Sequence, residues 1–191
     1  MSANAVRAVA STVTYRFSQR ESRLFVQAFA EGLLSAFGHN PKLAVSEFSG
    51  ELRLNPEDLE SSVIHVLINS NSLVVADYIS EKDRREIEAT MKGEVLETAR
   101  FGDIYFRSTS VSATKIDNGV YAARITGRLS LHGVTREHVV IARLHLLDTG
   151  VQAEGETTLR QSDFDIRRVS VAAGTLKVKD EVKLTFMVSA H

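Results

Sequence analysis

The most regular feature of the sequence is an alternation of apolar and polar side chains along short segments that are separated by turn residues. In segment 63–68, Ile64, Val66 and Ile68 fall on one face, because alternate residues of a strand point to the same side of a sheet. Repetition of such segments at near-regular spacing predicts an all-β sandwich or barrel. The predicted strands span residues 12–17, 23–30, 47–54, 63–68, 104–111, 120–131, 137–147, 151–159, 169–176 and 178–188.

A single helix is predicted at residues 80–92, between the fourth and fifth of these strands. Ser80 followed by Asp83 resembles a capping box, which marks the start of a helix. The helix is expected to end at Gly93 and to lie on a surface, since it has one narrow apolar seam. The residues of that seam recur at multiples of four and are Ile79, Ile87, Met91 and Val95.

Residues 31–40 combine large apolar side chains with two glycines and one histidine. This mixture is more typical of a lid or rim at the mouth of a β-structure than of an ordinary turn. The preceding strand is apolar on both faces, with Leu24 and Val26 on one and Phe25 on the other. Such a strand is either covered on both sides or has one side that lines a cavity.

Composition narrows the range of functions. Hydrophobic residues make up 43% and charged residues 25% of 191 residues, which is ordinary for a soluble globular protein. The net charge of -1 lacks the basic excess that nucleic-acid or membrane-surface binding usually needs. The absence of cysteine excludes disulfides and thiolate chemistry.

The chain is expected to form one domain over residues 12–191, preceded by a frayed tail at 1–11. Arg7 interrupts the first apolar residues, so no secretory signal is predicted and a cytoplasmic location is expected. No apolar run approaches the length of a membrane span.

A series of short motifs extends in order from about Tyr15 to Val188. The most specific is Gly127-x-Leu129-x-Leu131-His132-Gly133-Val134-Thr135, and others are Phe48-Ser49-Gly50, Ile64-x-Val66-x-Ile68-Asn69 and Ser162-Asp163-Phe164-Asp165-Ile166. In this order and spacing the sequence resembles the YceI-like family of bacterial proteins. It departs from the family at Asp165, where other members often have glycine, and in the composition of the helix.

This resemblance implies a lipocalin-like antiparallel β-barrel of about eight main strands, with one amphipathic helix packed against it. It also implies that the barrel interior binds, stores or transports a long isoprenoid, either a polyprenyl chain or an isoprenoid quinone, without catalysis. Homodimers are known in the family, and no metal or cofactor beyond the bound lipid is expected.

A site for such a lipid should be a dry apolar tube, because a prenyl chain offers no polar atoms. His39 and His132 are candidates for a polar cap that hydrogen-bonds the head group. From the residues alone, the same apolar pattern fits a solid core equally well. The other candidate ligand-binding residues are Leu24, Val26, Leu33, Phe37, Phe48, Ile64, Val66, Ile68, Ile87, Met91, Phe101, Phe106, Leu129 and Leu131.

An enzyme that acts on an apolar substrate, with His39 or His132 as the acid or base, is the main alternative. The sequence has no nucleophile-elbow motif and no phosphate-binding glycine loop, so support for it is slight. A metal site is not expected, because His65, His138 and His145 lie in strands without the spacing of ligands.

A third hypothesis is an interaction module whose helix, or a sheet edge, pairs with another chain. The apolar seam around Ile87 and Met91 would supply the contact. Such pairing is compatible with lipid binding inside the barrel.

Overall fold

Antiparallel strands make up most of the computed structural model, which describes residues 12–31, 40–171 and 176–191. Eleven strands form one curled sheet in the order β1-β5-β6-β8-β9-β10-β11-β14-β2-β4-β7, and β12, β13 and β3 form a small second sheet. Their bounds are β1 Val13–Arg16, β2 Arg23–Gln27, β3 Ala30–Glu31, β4 Lys42–Val45, β5 Phe48–Leu54, β6 Val63–Asn69, β7 Leu73–Val75, β8 Asp103–Asp117, β9 Val120–Leu131, β10 Val134–Leu147, β11 Gly150–Arg160, β12 Ser170–Val171, β13 Leu176–Val178 and β14 Glu181–Ala190.

The large sheet closes on itself because β1 and β2 both run along β14. β2 pairs with the first half of β14, whereas Phe17, just after β1, bridges to Ala190 at its end. The backbone N–H groups of Arg16 and His191 each donate to the other residue's carbonyl, at 2.8 and 3.0 Å. β1 and β2 therefore act as two halves of one bent strand that seals the barrel.

Two further pairs of short strands are bent in the same way. β4 and β5 form one bent pair, in which β4 pairs with β2 and β5 pairs with β1. β6 and β7 form the other, in which β6 pairs with β5 and β7 pairs with β4. When each bent pair counts as one strand, the wall has eight: β1/β2, β4/β5, β6/β7, β8, β9, β10, β11 and β14. The predicted antiparallel barrel of about eight main strands is confirmed.

The bend between β6 and β7 is made by a short 3-10 turn at Ser70–Ser72. Ser70 is 1% exposed, and its hydroxyl donates to the Phe101 carbonyl at 2.7 Å. Ser72 donates to the Asn69 carbonyl, also at 2.7 Å. These side chains satisfy the backbone where the ladder is interrupted, so the strand turns instead of ending.

The helix α1, Glu81–Thr90, begins as predicted, with the Ser80 hydroxyl accepting a hydrogen bond from the Asp83 N–H at 3.1 Å. Its predicted end at Gly93 is wrong, because a π-helical turn, Met91–Val95, continues the chain. A Cβ on Gly93 would meet nothing within 4 Å, so this residue imposes no steric break. No helix in the described part of the chain is long and apolar enough to span a bilayer.

Helix α1 covers the inner face of the β2/β4/β7 end of the barrel. Leu43, Leu73, Val75 and Met91 form a buried cluster there. The Glu88 carboxylate accepts the Val75 N–H at 2.9 Å, and the Arg84 guanidinium donates to the carbonyls of Val75 and Asp77. β7 is an edge strand, so the helix both seals the barrel and satisfies a free sheet edge.

Other differences from the predicted strands occur where chain pairing overrides hydrophobicity. β8 continues to Asp117, six residues beyond the prediction, because its polar second half pairs with β9 across two register shifts. Segment 23–30 contains β2 and the start of β3, and segment 178–188 contains the end of β13 and most of β14, whereas residues 172–175 of segment 169–176 lie outside the described residues. The predicted tail at 1–11 and most of the predicted lid, 32–39, lie outside the described residues.

Candidate functional site

An apolar cavity of about 240 Å³ lies inside the barrel. Most lining residues alternate along their strands, as the pleat of a strand requires, although β2 and β14 also contribute the adjacent Phe25 and Thr185. Ile64, Val66 and Ile68 come from β6, and Val140, Ala142 and Leu144 come from β10. The interior is therefore not filled by its own side chains.

The cavity is long and narrow. Its lining extends from Ser62, just before β6, to Ile68, near the end of that strand. Six residues of strand correspond to roughly 20 Å at about 3.3 Å per residue. A volume of about 240 Å³ lies below the roughly 300 to 1,000 Å³ of sites for drug-sized ligands. This shape suits a slender chain better than a broad ring system.

Phe106 and Gly127 show how the most specific motif of the sequence shapes the cavity. A Cβ on Gly127 would lie 2.4 Å from Cζ of Phe106 and 2.6 Å from the Arg107 carbonyl oxygen. The missing side chain lets the Phe106 ring approach the β9 backbone closely, and Phe106 lines the cavity with Leu129 and Leu131. The motif thus serves the interior surface as well as the following turn.

Four polar side chains interrupt the apolar lining: Ser62, His138, Thr157 and Thr185. The hydroxyl oxygen of Ser62 is buried and has no hydrogen-bond partner among the described residues. Nε2 of His138 lies 3.0 Å from Oγ1 of Thr157, which also donates to the Val139 carbonyl at 3.0 Å. The histidine and this threonine therefore form the one polar cluster with assigned bonds on the described cavity wall.

Burial lowers the pKa of His138 below its ordinary value of 6.5, because the charged imidazolium loses solvation. The unfolded chain therefore takes up this proton before the folded chain does as the pH falls. His138 therefore does not reduce the free energy of unfolding above about pH 6.5. Below that pH the free energy of unfolding declines as the pH drops toward the folded-state pKa of His138.

We expect His138→Gln to flatten the pH dependence of unfolding between about pH 7 and pH 5. Urea-denaturation midpoints for wild type and variant would measure it. Ser62→Ala, which removes a polar but non-titrating side chain from the same lining, is the control and should leave the slope unchanged. Parallel curves for wild type and His138→Gln would contradict the assignment.

Seven of the sequence-predicted binding residues line the cavity. They come from strands β2, β6, β8 and β9, and their apolar alternation places them on the inner face. These residues are Leu24, Ile64, Val66, Ile68, Phe106, Leu129 and Leu131.

Five of the described apolar candidates, Phe101 among them, lie outside this lining. Val26, Ile87 and Met91 belong to the cluster in which helix α1 covers the end of the barrel. They are not among the residues that line the cavity, since the helix fills the space that Val26 faces, and their contact with a ligand stays a prediction. Phe48 is 6% exposed but is not part of the lining, although its cross-strand partner Ile68 is.

His132 and Phe101 meet at the β9–β10 turn, outside the cavity lining. Their ring centroids are 4.3 Å apart, and His132 Nδ1 lies 3.2 Å from the Phe164 carbonyl oxygen, to which it donates. Nε2 of His132 lies 3.4 Å from Glu97 Oε1, without hydrogen-bond alignment. His132 thus joins the turn to neighbouring segments, and the structure does not place it as a cap of the cavity.

The remaining candidates, Leu33, Phe37 and His39, lie outside the described residues. Among the residues that are described, no three His, Asp or Glu side chains are grouped as a metal site.

Many lining residues were not selected from the sequence. Alternation within the predicted strands was the available signal, but it does not say which face points inward. They are Phe17, Phe25, Val45, Leu52, Leu54, Leu59, Ser62, Ile104, Val111, Ile125, His138, Val140, Ala142, Leu144, Val151, Ala153, Thr157, Leu159, Leu184, Thr185, Phe186, Val188 and Ala190.

Several solved structures share this fold. BcnA of Burkholderia cenocepacia superposes with a TM-score of 0.70 at 14% identity, covering 92% of this chain and 99% of BcnA. A polyisoprenoid binding domain from Saccharophagus degradans, implicated in plant cell wall breakdown, gives 0.63 at 12% identity over 93% and 97% of the two chains. The YceI protein of Campylobacter jejuni gives 0.59 at 17% identity over 80% and 85%. At these identities the likeness establishes the fold.

Curated relatives are closer in sequence. A UPF0312 protein of Ectopseudomonas mendocina (strain ymp) is 32% identical over 130 residues, covering 64% of this chain and 62% of the relative. A UPF0312 protein of Vibrio parahaemolyticus is 27% identical over 125 residues, covering 62% and 61%. The matches thus span about three fifths of the length of these relatives. The YceI-like domain matches residues 8–190, and the chain therefore belongs to the YceI-like domain family.

Proposed function

We propose that this protein is a non-catalytic binding protein that stores or transports a long isoprenoid lipid, a polyprenyl chain or an isoprenoid quinone, inside its barrel. The observation that carries the proposal is the narrow apolar cavity of about 240 Å³ along the barrel interior. The polyisoprenoid binding domain of Saccharophagus degradans, which shares the fold, supports the same class of ligand.

The chemistry of the lining favours a hydrocarbon chain. Burial of each methylene contributes about 0.8 kcal/mol, and the cavity offers few polar atoms that such a ligand would leave unpaired. Several prenyl units would formally exceed the practical ceiling of roughly 18 to 21 kcal/mol for non-covalent binding. Part of the gain must offset the lost freedom of the chain, so binding is expected to be tight but tolerant of chain length.

A catalytic role has less support from the geometry. His132, one of its two proposed acid–base residues, is held against the Phe101 ring and the Phe164 carbonyl outside the lining. His138 lines the cavity and contacts the Thr157 hydroxyl, but that hydroxyl donates its proton to the Val139 carbonyl, so His138 is not placed to act as its base. The site therefore supports binding better than turnover.

The proposal is tested by extracting purified protein with organic solvent and analysing the extract by mass spectrometry. The expected result is a stoichiometric isoprenoid lipid, or saturable uptake of added polyprenyl lipid by protein that was purified without one. A clean extract together with no uptake of polyprenyl lipid or isoprenoid quinone would overturn it. Heat-unfolded protein serves as the control for lipid that merely adheres to exposed apolar surface.

A further inference from the structure

The barrel wall has a gap between β10 and β11. Their hydrogen-bonded ladder runs from Leu147↔Gly150 to Ile141↔Glu156 and stops there. Both strands continue, β10 to Val134 along β9 and β11 to Arg160 along β14. Only their mutual pairing is lost, so the two strands diverge while each remains part of the wall.

The gap has defined borders. At the end of the gap that adjoins the ladder, the Thr157 hydroxyl donates to the Val139 carbonyl in place of a ladder hydrogen bond. At the opposite end of the gap, the Arg136 guanidinium donates to the Asp163 carbonyl in the 3-10 turn that follows β11. Backbone groups of the diverging strands that face the gap lie outside the ladder, so they need water or a polar ligand.

A second, polar cavity of about 370 Å³ lies against this gap on the outside of the barrel. His138 and Leu159 line both this cavity and the apolar one, so these two side chains lie between the two spaces. A prenyl chain in the barrel could therefore place a polar end at the gap without leaving the apolar interior.

Charge in the polar cavity selects against an anionic head group. Its charged lining residues are Arg136 and Arg160 against Glu137, Asp163 and Glu181, a balance of two positive and three negative side chains. The guanidinium of Arg136 is already bonded to a backbone carbonyl. The net negative charge of this lining would repel a phosphate, whereas it would not repel an uncharged hydroxyl.

The hydrogen bonds of His138 define which hydrogen-bonding group would fit. The single hydroxyl proton of Thr157 is donated to the Val139 carbonyl, so Thr157 must accept from His138 Nε2–H. In a neutral imidazole Nδ1 is then an acceptor, and it has no protein partner among the described residues. A ligand that meets it must donate a hydrogen bond.

We infer that the gap between β10 and β11 is the head-group end of the binding site, and that His138 Nδ1 accepts a hydrogen bond from a ligand hydroxyl. This rests on the proposed function and refines it: the favoured ligand is a prenyl alcohol or phenol, not a prenyl phosphate. A diketone quinone, which has no donor, is disfavoured relative to its hydroquinone.

The test measures dissociation constants of full-length protein for geranylgeraniol, its methyl ether and geranylgeranyl phosphate, by competition with a fluorescent prenyl analogue. One neutral hydrogen bond predicts that the alcohol binds wild type about three- to tenfold more tightly than the ether. His138→Phe should remove this preference, so that the alcohol and the ether bind the variant with affinities equal within about twofold. His145→Phe, on the same strand outside both cavities, should retain the preference.

Equal saturable binding of alcohol and ether to wild type would overturn this inference while leaving the carrier function intact. Tighter binding of the phosphate than of the alcohol would also overturn it. If none of the three lipids bound saturably, the proposed function itself would fail. The comparison of lipids on wild type remains decisive even if His138→Phe does not fold.

Discussion

Ala142→Phe is expected to abolish binding of prenyl lipids while the barrel stays folded. Ala142 is 4% exposed and lines the middle of the cavity, so a phenyl ring at this position would occupy the path of the ligand. We expect at least a hundredfold loss of affinity, because a blocked tube excludes several methylenes that each contribute about 0.8 kcal/mol. Titration with geranylgeraniol, with circular dichroism to verify folding, would measure it.

The adjacent residue provides the matched control. Ile141 is 51% exposed and points to the outer face of the same strand. Ile141→Phe introduces the same ring at the neighbouring position and should leave affinity unchanged. Retained binding by folded Ala142→Phe would place the ligand outside the cavity and contradict the proposed site.

Gly155→Ala is expected to lower the free energy of unfolding by about 3 kcal/mol or more, at the upper end of overpacking effects. Gly155 lies on β11, where a Cβ would be 2.3 Å from the Ile141 carbonyl oxygen and 2.7 Å from Cζ of Phe186. The backbone contact cannot be relieved by rotating a side chain, so β10 and β11 would have to separate just where their ladder ends.

Urea denaturation would measure this loss, with Gly93→Ala as the control. Gly93 lies in the π-helical turn with nothing within 4 Å of a Cβ, and alanine there should raise stability by roughly 0.5 to 1 kcal/mol. A loss below about 1 kcal/mol for Gly155→Ala would contradict the close approach of the two strands, since relief of overpacking would then have been easy.

Most of the barrel could be predicted because its long strands carry a clear signal. The predicted strand at 120–131 coincides with β9, since its alternation persists and a turn precedes it. β4 and β7 were missed because these short segments show no clear alternation of apolar and polar residues. Their pairing is specified by the bends in neighbouring strands, which local sequence does not reveal.

The candidate site was predicted only in part, for a related reason. Alternation identifies the two faces of a strand but not what lies against each face. Val26 and Leu24 share a face, yet Leu24 lines the cavity whereas Val26 packs in the helix-covered cluster. The position of helix α1 depends on its bonds to β7, so sequence periodicity could not separate these residues.

His138 illustrates a signal that was present but not used. It shares the parity of Val140, Ala142 and Leu144, all of which line the cavity. From the sequence, His138 was considered only as a metal ligand, and it lacks the spacing that such a role needs. Its importance arises instead because β10 and β11 diverge near this residue, which the sequence does not show.

The expected homodimer and cytoplasmic location stay predictions.

A crystal structure of the protein saturated with geranylgeraniol tests the central claim most directly. The account predicts continuous elongated density inside the barrel, between Ile64 and Val66 on one wall and Leu129 on another. Lipid density confined to the outer surface, or an interior that stays empty at saturating lipid, would contradict it.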